Sequence, residues 1–329
     1  MIERRLGPFM VSAIGFGCMG FSHAYGTPPD REVARAVLLQ ALDLGHTHFD
    51  TAAIYGLGHN ETLVGEVLGP HRARFTLASK CGMGPDATGQ RGLDGRPASL
   101  IATCERSLRQ LGTDVIDLYY LHRWDRRVPI EECVGALGDL VRQGKLRAIG
   151  LSEVSAATLR RAHAVHPIAA LQSEYSPWTR NPEIATLAAC KELGVTFVSF
   201  SPVGRGFLAG GMPDPAALEK QDIRAPMPRF LGENYRANLA LRDRFNAIAA
   251  EAGCTPAQLC LAWVLSRGDH VVTIPGTVRS DHLVENWQAG ALALSPAILA
   301  RVDALMTPTA PHGHRYSDAM RATVDTEEF

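Results

Sequence analysis

An excess of charge of either sign is absent from this chain: 33 Lys and Arg stand against 34 Asp and Glu, a formal net charge of −1. With the basic residues scattered rather than clustered, nothing favours nucleic acid or an anionic membrane as a partner, and a small molecule is expected instead. Long hydrophobic runs are also missing, since no apolar stretch reaches the roughly 18 residues that a membrane helix needs. The opening MIERRLGPFM lacks the basic segment and apolar run of an export signal, so a cytoplasmic location is expected. Cysteine is sparse and dispersed (Cys18, Cys81, Cys104, Cys133, Cys190, Cys254 and Cys260), with no C-x-x-C and no Cys/His cluster at metal spacing. That pattern argues against a disulfide scaffold and a structural metal, and reads as free thiols in a reducing compartment.

What is present is a core: 46% of the 329 residues are hydrophobic and 20% charged. Short apolar runs alternate with longer amphipathic stretches along the whole chain, the mark of repeated βα units. Eight strands are expected, at residues 13–17, 47–50, 75–79, 115–121, 146–152, 169–173, 195–200 and 271–275. That number fits a closed (β/α)₈ barrel, a TIM barrel, read here as one domain over residues 1–329. Helical patterns lie between the strands, as in REVARAVLLQALDLG, which opens after Asp30 as N-cap and stops at Gly45. Two long segments rich in Gly, Pro and Asp, Cys81 to Pro97 and Val203 to Asn238, are expected as loops after strands 3 and 7, on the face where barrel active sites sit. The piece before Gly15 is expected to form a hairpin plugging the opposite mouth. The tail from Thr307 either folds back over the active face or is partly disordered.

Gly15-Phe16-Gly17-Cys18-Met19-Gly20 is a literal G-x-G-x-x-G after a strand, and Asp50 mimics the ribose-binding acid of a Rossmann fold. That motif needs a helix starting at the glycines, whereas Phe21 to Pro29 intervenes, so a tight strand exit is the better reading. A different set draws more attention. Asp50, Lys80 and His122 each close an apolar run, and Tyr55 follows Asp50 on the same loop. Singly, each has a plain structural role as a cap, a solvated strand end, a buried imidazole or a rim aromatic. The strand ends of a parallel barrel converge, however, so all four can meet in one pocket despite their separation in the chain. There an ammonium at Lys80 pulls down the pKa of the Tyr55 phenol, Asp50 pairs the ammonium, and a neutral His122 directs a substrate oxygen. Such a set suits protonation of an oxygen whose carbon accepts hydride.

DTAAIYG, the strand-end Lys80 and SLRQLGTDVIDLYYLHR resemble the aldo-keto reductase family, and so in turn do GKLRAIGLSE, LQSEYSPW, SPVGRGFLAG and IPGTVRSDHLVEN. The resemblance implies an NADPH-dependent oxidoreductase that reduces aldehydes or ketones, with Tyr55 as general acid, Lys80 tuning it, Asp50 holding Lys80 and His122 orienting the carbonyl. It also implies Met19, Gly20 and Asp50 beside the nicotinamide ribose, Ser152 and Gln172 on the carboxamide, and Phe200 stacked on the nicotinamide. The run Ser201, Pro202, Val203, Gly204, Arg205, Gly206, Phe207 and Leu208 resembles the loop that wraps the pyrophosphate, where glycines admit backbone amides and Arg205 offers a charged fork. Ile274, Pro275, Gly276, Thr277, Arg279, His282, Glu285 and Asn286 resemble the adenosine-binding segment. The chain departs from the family in two places. His282 stands where an Arg is common, which leaves Arg279 to grip a 2′-phosphate and keeps NADH open as the alternative cofactor. Glu153 stands where an Asn is common.

For the substrate, Phe21, Tyr25, Tyr55, His122 and Trp124, with Phe230, Tyr235 and Tyr316, are expected as an aromatic rim or as loop anchors. Within the family, HRWD, EYSPW, GRGFL and HGHRYSDAM are most like the bacterial and plant branch of pyridoxal-type and broad aldehyde reductases. Other readings are a cofactor-sensing binding module like the channel β subunits that resemble this family, and a hydrolase barrel, for which no nucleophile–base pair is evident. Natural substrate and oligomeric state stay open.

Overall fold

The computed structural model describes residues 2–22, 24–85, 91–210, 212 and 214–329. Eight parallel strands form its central sheet: β3 (Phe16–Gly17), β4 (His48–Asp50), β5 (Thr76–Cys81), β8 (Ile116–Leu121), β9 (Leu146–Ser152), β10 (Ile168–Glu174), β11 (Thr196–Phe200) and β12 (Val271–Thr273). Each is almost wholly buried, as strands covered on both faces must be. The sheet closes on itself through a parallel bridge between Ile14 and Thr273, where the Gly15 N–H donates to the Thr273 carbonyl (2.8 Å) and the Thr273 N–H to the Ala13 carbonyl (3.0 Å). The seam is tight. A Cβ on Gly17 would lie 2.8 Å from the Ile274 carbonyl oxygen, and one on Gly276 would lie 2.6 Å from that of Gly17. The G-x-G-x-x-G run thus serves barrel closure: a short 3₁₀ turn (Met19–Phe21) follows it, and the next helix starts only at Arg31.

Helices cross over between the strands as βα units require. They are α1 (Arg31–Leu44), α2 (His59–Leu68), α3 (Pro97–Leu111), α4 (Ile130–Arg142), α5 (Ala156–Val165), α6 (Thr186–Leu193), α7 (Gly232–Glu251), α8 (Pro256–Leu265) and α9 (Ser280–Gln288), followed by α10 (Pro296–Leu305) and α11 (Asp318–Arg321). Helix α1 buries Ala34, Val37, Leu38, Ala41 and Leu42, one face at 3.6-residue spacing, and ends at Gly45 in the left-handed conformation (φ 105°). Asp30 occupies the N-cap position, but its side chain accepts no capping bond. Among the described residues no single helix is long and apolar enough to cross a membrane.

The antiparallel hairpin β1 (Glu3–Leu6) and β2 (Phe9–Ser12) closes the barrel floor. Leu6 and Val11 pack against Ala78, Leu118, Ala170, Val198 and Val272 of the barrel interior, and full burial of a side chain of this size contributes about 1.5–3 kcal/mol. Arg4 ties the hairpin to the carbonyls of Leu265 (2.8 Å), Gly268 (2.9 Å) and Val271.

Two expectations change. The segment after β5 carries a small hairpin, β6 (Met83–Pro85) with β7 (Arg91–Leu93), while residues 86–90 of that expected loop lie outside the described residues. The loop after β11 is shorter than expected because α7 starts at Gly232, ahead of Asn238; Gly211 and Pro213 within that loop are likewise outside the described residues. The tail folds back over the active face. The Asp325 N–H donates to the Glu153 carbonyl (2.9 Å), and the Glu327 carboxylate accepts from the Ala156 N–H (2.8 Å) and the Thr186 hydroxyl (2.8 Å).

Candidate active site

At the C-terminal mouth, β4 ends in Asp50, β5 carries Lys80 one residue from its end, and His122 follows β8 directly. The His122 N–H donates to the Cys81 carbonyl (2.8 Å), which extends the β5–β8 ladder by one rung and fixes where the imidazole starts. Tyr55 opens a 3₁₀ turn after β4, and its ring meets that of His122 edge to face, centroids 5.8 Å apart at 83°. The ammonium of Lys80 lies 5.2 Å from the Tyr55 ring centroid, is paired with Asp50, and donates to the Thr51 carbonyl (2.8 Å). Asp50 accepts on its other oxygen from the Gln172 amide (2.8 Å). The four residues expected to meet are together.

Both members of the Lys80–Asp50 pair are buried, so neither charge is stable without the other. Burial, the largest influence, pulls the Lys80 pKa down, but Asp50 and Tyr55 outweigh it and the ammonium is held above its usual value. For Tyr55 the net effect is opposite to the expected lowering. Burial pushes the phenol above its ordinary pKa, and the downward pull of Lys80, and more weakly of Arg123, does not fully offset it.

A cavity of about 560 Å³ runs from this cluster across the seam. Its wall includes Asp50, Tyr55 and His122; Met19, Gly20 and Tyr25; Ser152, Gln172 and Phe200; Ser201, Pro202, Val203, Arg205 and Gly206; and Ile274, Pro275, Gly276, Thr277, Arg279, His282, Glu285 and Asn286. Lys80 sits behind the wall, fully covered. Several expected residues do not reach the cavity. Phe21 is a core residue whose ring stacks on Phe16 at 5.7 Å. Trp124 turns its indole N–H to the Val128 carbonyl (2.8 Å) and braces its own loop. Gly204, Phe207 and Leu208 are also absent from the wall: Phe207 stacks on Trp178 at 4.4 Å, Leu208 is core, and Phe230 and Tyr235 pack around Phe207 as loop anchors. Tyr316, from the tail, does line the cavity, and so does Met320.

Arg205 is not a free fork. Its guanidinium donates to Glu174 (2.6 Å) and to the Tyr316 hydroxyl (3.3 Å). Glu174 in turn takes its backbone N–H bond to Glu153 (2.8 Å), whose other oxygen lies 2.8 Å from Arg315. Burial pushes the Glu174 pKa up, but Arg205, Arg315 and Arg229 together bring it down to about 2. This accounts for the acid at Glu153: it anchors the tail. Glu153, Ser201 and Arg205 all hold left-handed backbone (φ 55°, 50° and 58°), a conformation that costs non-glycine residues about 1–3 kcal/mol and gathers at functional sites.

The wall also contains Arg123, Arg224, Val278 and Met83, which the sequence pattern did not single out. Arg224 is held bidentately by Asp222 (2.9 and 2.7 Å). Among the described residues no group of His, Cys, Asp and Glu has the arrangement of a metal site.

Comparison with known proteins gives the family and the fold. Residues 13–307 match the Aldo/keto reductase family. The aldo-keto reductase yakc [NADP(+)] of Schizosaccharomyces pombe is 43% identical over 305 residues, covering 91% of this chain and 89% of that one. Among solved structures, a glycerol dehydrogenase from Gluconobacter oxydans superposes with a TM-score of 0.85 at 27% identity, covering 95% of this chain and 97% of the other. The holo form of an aldo-keto reductase from Bacillus halodurans gives a TM-score of 0.77 at 28% identity, covering 93% and 96%.

Proposed function

The chain belongs to the aldo/keto reductase family, and from that premise we propose that it is a single-barrel enzyme that reduces aldehydes or ketones to alcohols with NADPH. The reading rests on one arrangement: Tyr55 and His122 meet edge to face on the cavity wall, with the paired Lys80 ammonium under the Tyr55 ring.

The cavity suits a dinucleotide. Gly17 and Gly276 approach closely and add no side chain to their part of the wall, and Arg279 and His282 bring the first turn of α9 to the cavity, where backbone N–H groups favour a phosphate. Ser152 and Gln172 offer the hydroxyl and amide that a carboxamide needs, and Phe200 offers a flat ring. Arg279 is exposed and paired with Asp281, a surface pair weak enough to be exchanged for a 2′-phosphate. The relative in S. pombe carries NADP(+) in its name, which supports the same choice here.

When bound, the reduced nicotinamide supplies hydride to the carbonyl carbon. The chain does the rest. His122 directs the carbonyl oxygen toward Tyr55, and Tyr55 holds the proton that the oxygen takes up. Lys80 stabilises the phenolate left behind, and Asp50 keeps Lys80 charged in a dry site. Gln172 fixes the second oxygen of Asp50 and so the direction of the pair.

The decisive experiment follows the absorbance of NADPH with a panel of aldehydes for the parent and Tyr55→Phe. The parent is expected to turn over, and the variant to lose about 10²- to 10⁴-fold in kcat with cofactor affinity retained. A parent that binds NADPH yet reduces nothing in the panel points to a cofactor-sensing module instead, and a fully active Tyr55→Phe removes the tyrosine from the proton step.

A further inference from the structure

Four arginines line the cavity among the described residues: Arg123, Arg205, Arg224 and Arg279. Three of them are neutralised by carboxylates, Arg205 by Glu174, Arg224 by Asp222 and Arg279 by Asp281. Arg123 has no carboxylate partner among the described residues; its guanidinium donates only to neutral oxygens, the His122 carbonyl (2.6 Å) and the Ser152 hydroxyl (3.1 Å). Neither carboxylate in the wall pairs with it: Asp50 is taken by Lys80, and Glu285, on α9, forms no ion pair with Arg123.

The position of this cation matters as much as its lack of a partner. It follows His122 in the chain, donates to the His122 carbonyl and lines the same wall as Tyr55, so it stands at the reacting end of the cavity rather than at the phosphate end. It is also braced. Asp125 is held by Arg127 (2.8 and 2.9 Å) and Trp124 by the Val128 carbonyl, so the loop carrying Arg123 is fixed before any ligand arrives. A half-buried guanidinium on a rigid loop, with donor capacity left over, pays part of its desolvation cost until an anion comes to it.

We infer that Arg123 is a specificity-determining residue that recognises a carboxylate on the carbonyl substrate, so that the cavity selects aldehyde or keto acids over their neutral counterparts. This rests on the carbonyl-reductase reading above. The carboxylate accepts from the free Nη and Nε positions of Arg123 while the carbonyl oxygen lies between Tyr55 and His122, which favours acids with few atoms between the two groups.

The test measures kcat/KM with NADPH for a series of aldehyde acids of increasing chain length, beginning with glyoxylate, each against its methyl ester. The parent is expected to prefer the acid by about 10-fold or more, and Arg123→Met to bring the ratio to within about threefold of one, the size of effect expected for a charged hydrogen bond. Arg123→Lys should retain part of the preference. Arg123→Gln, which keeps donors for the His122 carbonyl and Ser152, serves if the Met variant does not fold. Esters reduced as well as acids by the parent overturn the inference and leave the reductase reading standing; acids and esters both refused, with NADPH bound, overturn the reductase reading itself. A preference for acids that survives every Arg123 substitution, or a loss of NADPH affinity with the preference intact, also overturns the assignment.

Discussion

Arg315 of the C-terminal tail lies 2.8 Å from the Glu153 carboxylate just after β9, and both side chains are almost fully buried. This contact joins positions far apart in the chain and places Tyr316 in the wall of the cavity. The tail is therefore held by charge as well as by the backbone bridge at Val154 and Asp325.

Arg315→Met should destabilise the protein by about 3–5 kcal/mol, because Glu153 and Glu174 keep their buried charges with one cation fewer. Replacing Glu153 by Gln in the same chain removes the uncompensated charge and should recover much of that loss. Urea unfolding of the single and double variants gives both numbers. A loss below about 1 kcal/mol for the single variant would mean that the pair contributes little.

Acid should weaken the fold in two stages. Burial pulls the pKa values of His46 and His48 down to about 4, so both stay neutral in the folded state while the unfolded chain protonates near the ordinary value of about 6.5. The unfolded state then gains protons first as pH falls, and stability declines from about pH 6.5 to about 4. Glu174, with a folded pKa of about 2, extends the decline, since its stabilisation is complete above the unfolded carboxylate value and is lost as pH falls toward 2. Urea midpoints across this range should fall throughout; His48→Asn should flatten the upper stage and Glu174→Gln the lower. A midpoint that is level between pH of about 7 and 4.5 contradicts the histidine contribution.

The pH dependence of reduction should be set on its alkaline side by Tyr55. In the proposed mechanism the phenol must be protonated to donate, and its pKa lies above the ordinary value of about 10. The expected profile of kcat/KM is level through neutrality and falls only at the alkaline extreme. Lys80→Met removes the downward pull, so the limb should move higher still while the rate drops. A limb below about pH 9 in the parent would show that Lys80 and Arg123 outweigh burial.

Cofactor choice is testable at His282, which lines the cavity on α9. His282→Arg should tighten NADPH by about 10-fold with little change for NADH, as expected for one added charged contact to a 2′-phosphate. Fluorescence titration of the two cofactors decides it, and equal changes for both would place His282 away from that phosphate.

The barrel was legible because a fully buried parallel strand is a short apolar run and a crossover helix an amphipathic one, a rhythm that survives without tertiary information. The meeting of Asp50, Tyr55, Lys80 and His122 was legible for the same reason: strand ends in a barrel share one mouth. Helix α7 was partly hidden, since it buries only Asn238, Phe245, Ile248 and Ala249 in 20 residues, too thin a stripe to mark its start at Gly232. Phe21 and Trp124 were placed on the correct segments, but segment position does not say which way a ring turns. Phe21 turns to Phe16 and Trp124 to Val128. Arg123 resembles any solvated cation at a strand end until the other cavity arginines are seen to be paired. The role of Glu153 depends on Arg315, and no local pattern announces a pair of that separation.

The seam at Gly17 and Gly276 has a bearing on synthesis. Until β12 has left the ribosome, the strands already made form an open sheet with two unpaired edges, one at β3 and one at β11. The groove that crosses the seam does not exist at that stage, so nothing that binds there can stabilise the nascent chain. Closure joins residue 14 to residue 273, a contact that must wait until every other strand of the sheet has been made. A growing chain of this protein thus exposes sticky strand edges until late, and chaperone dependence should be strongest for products ending just short of β12.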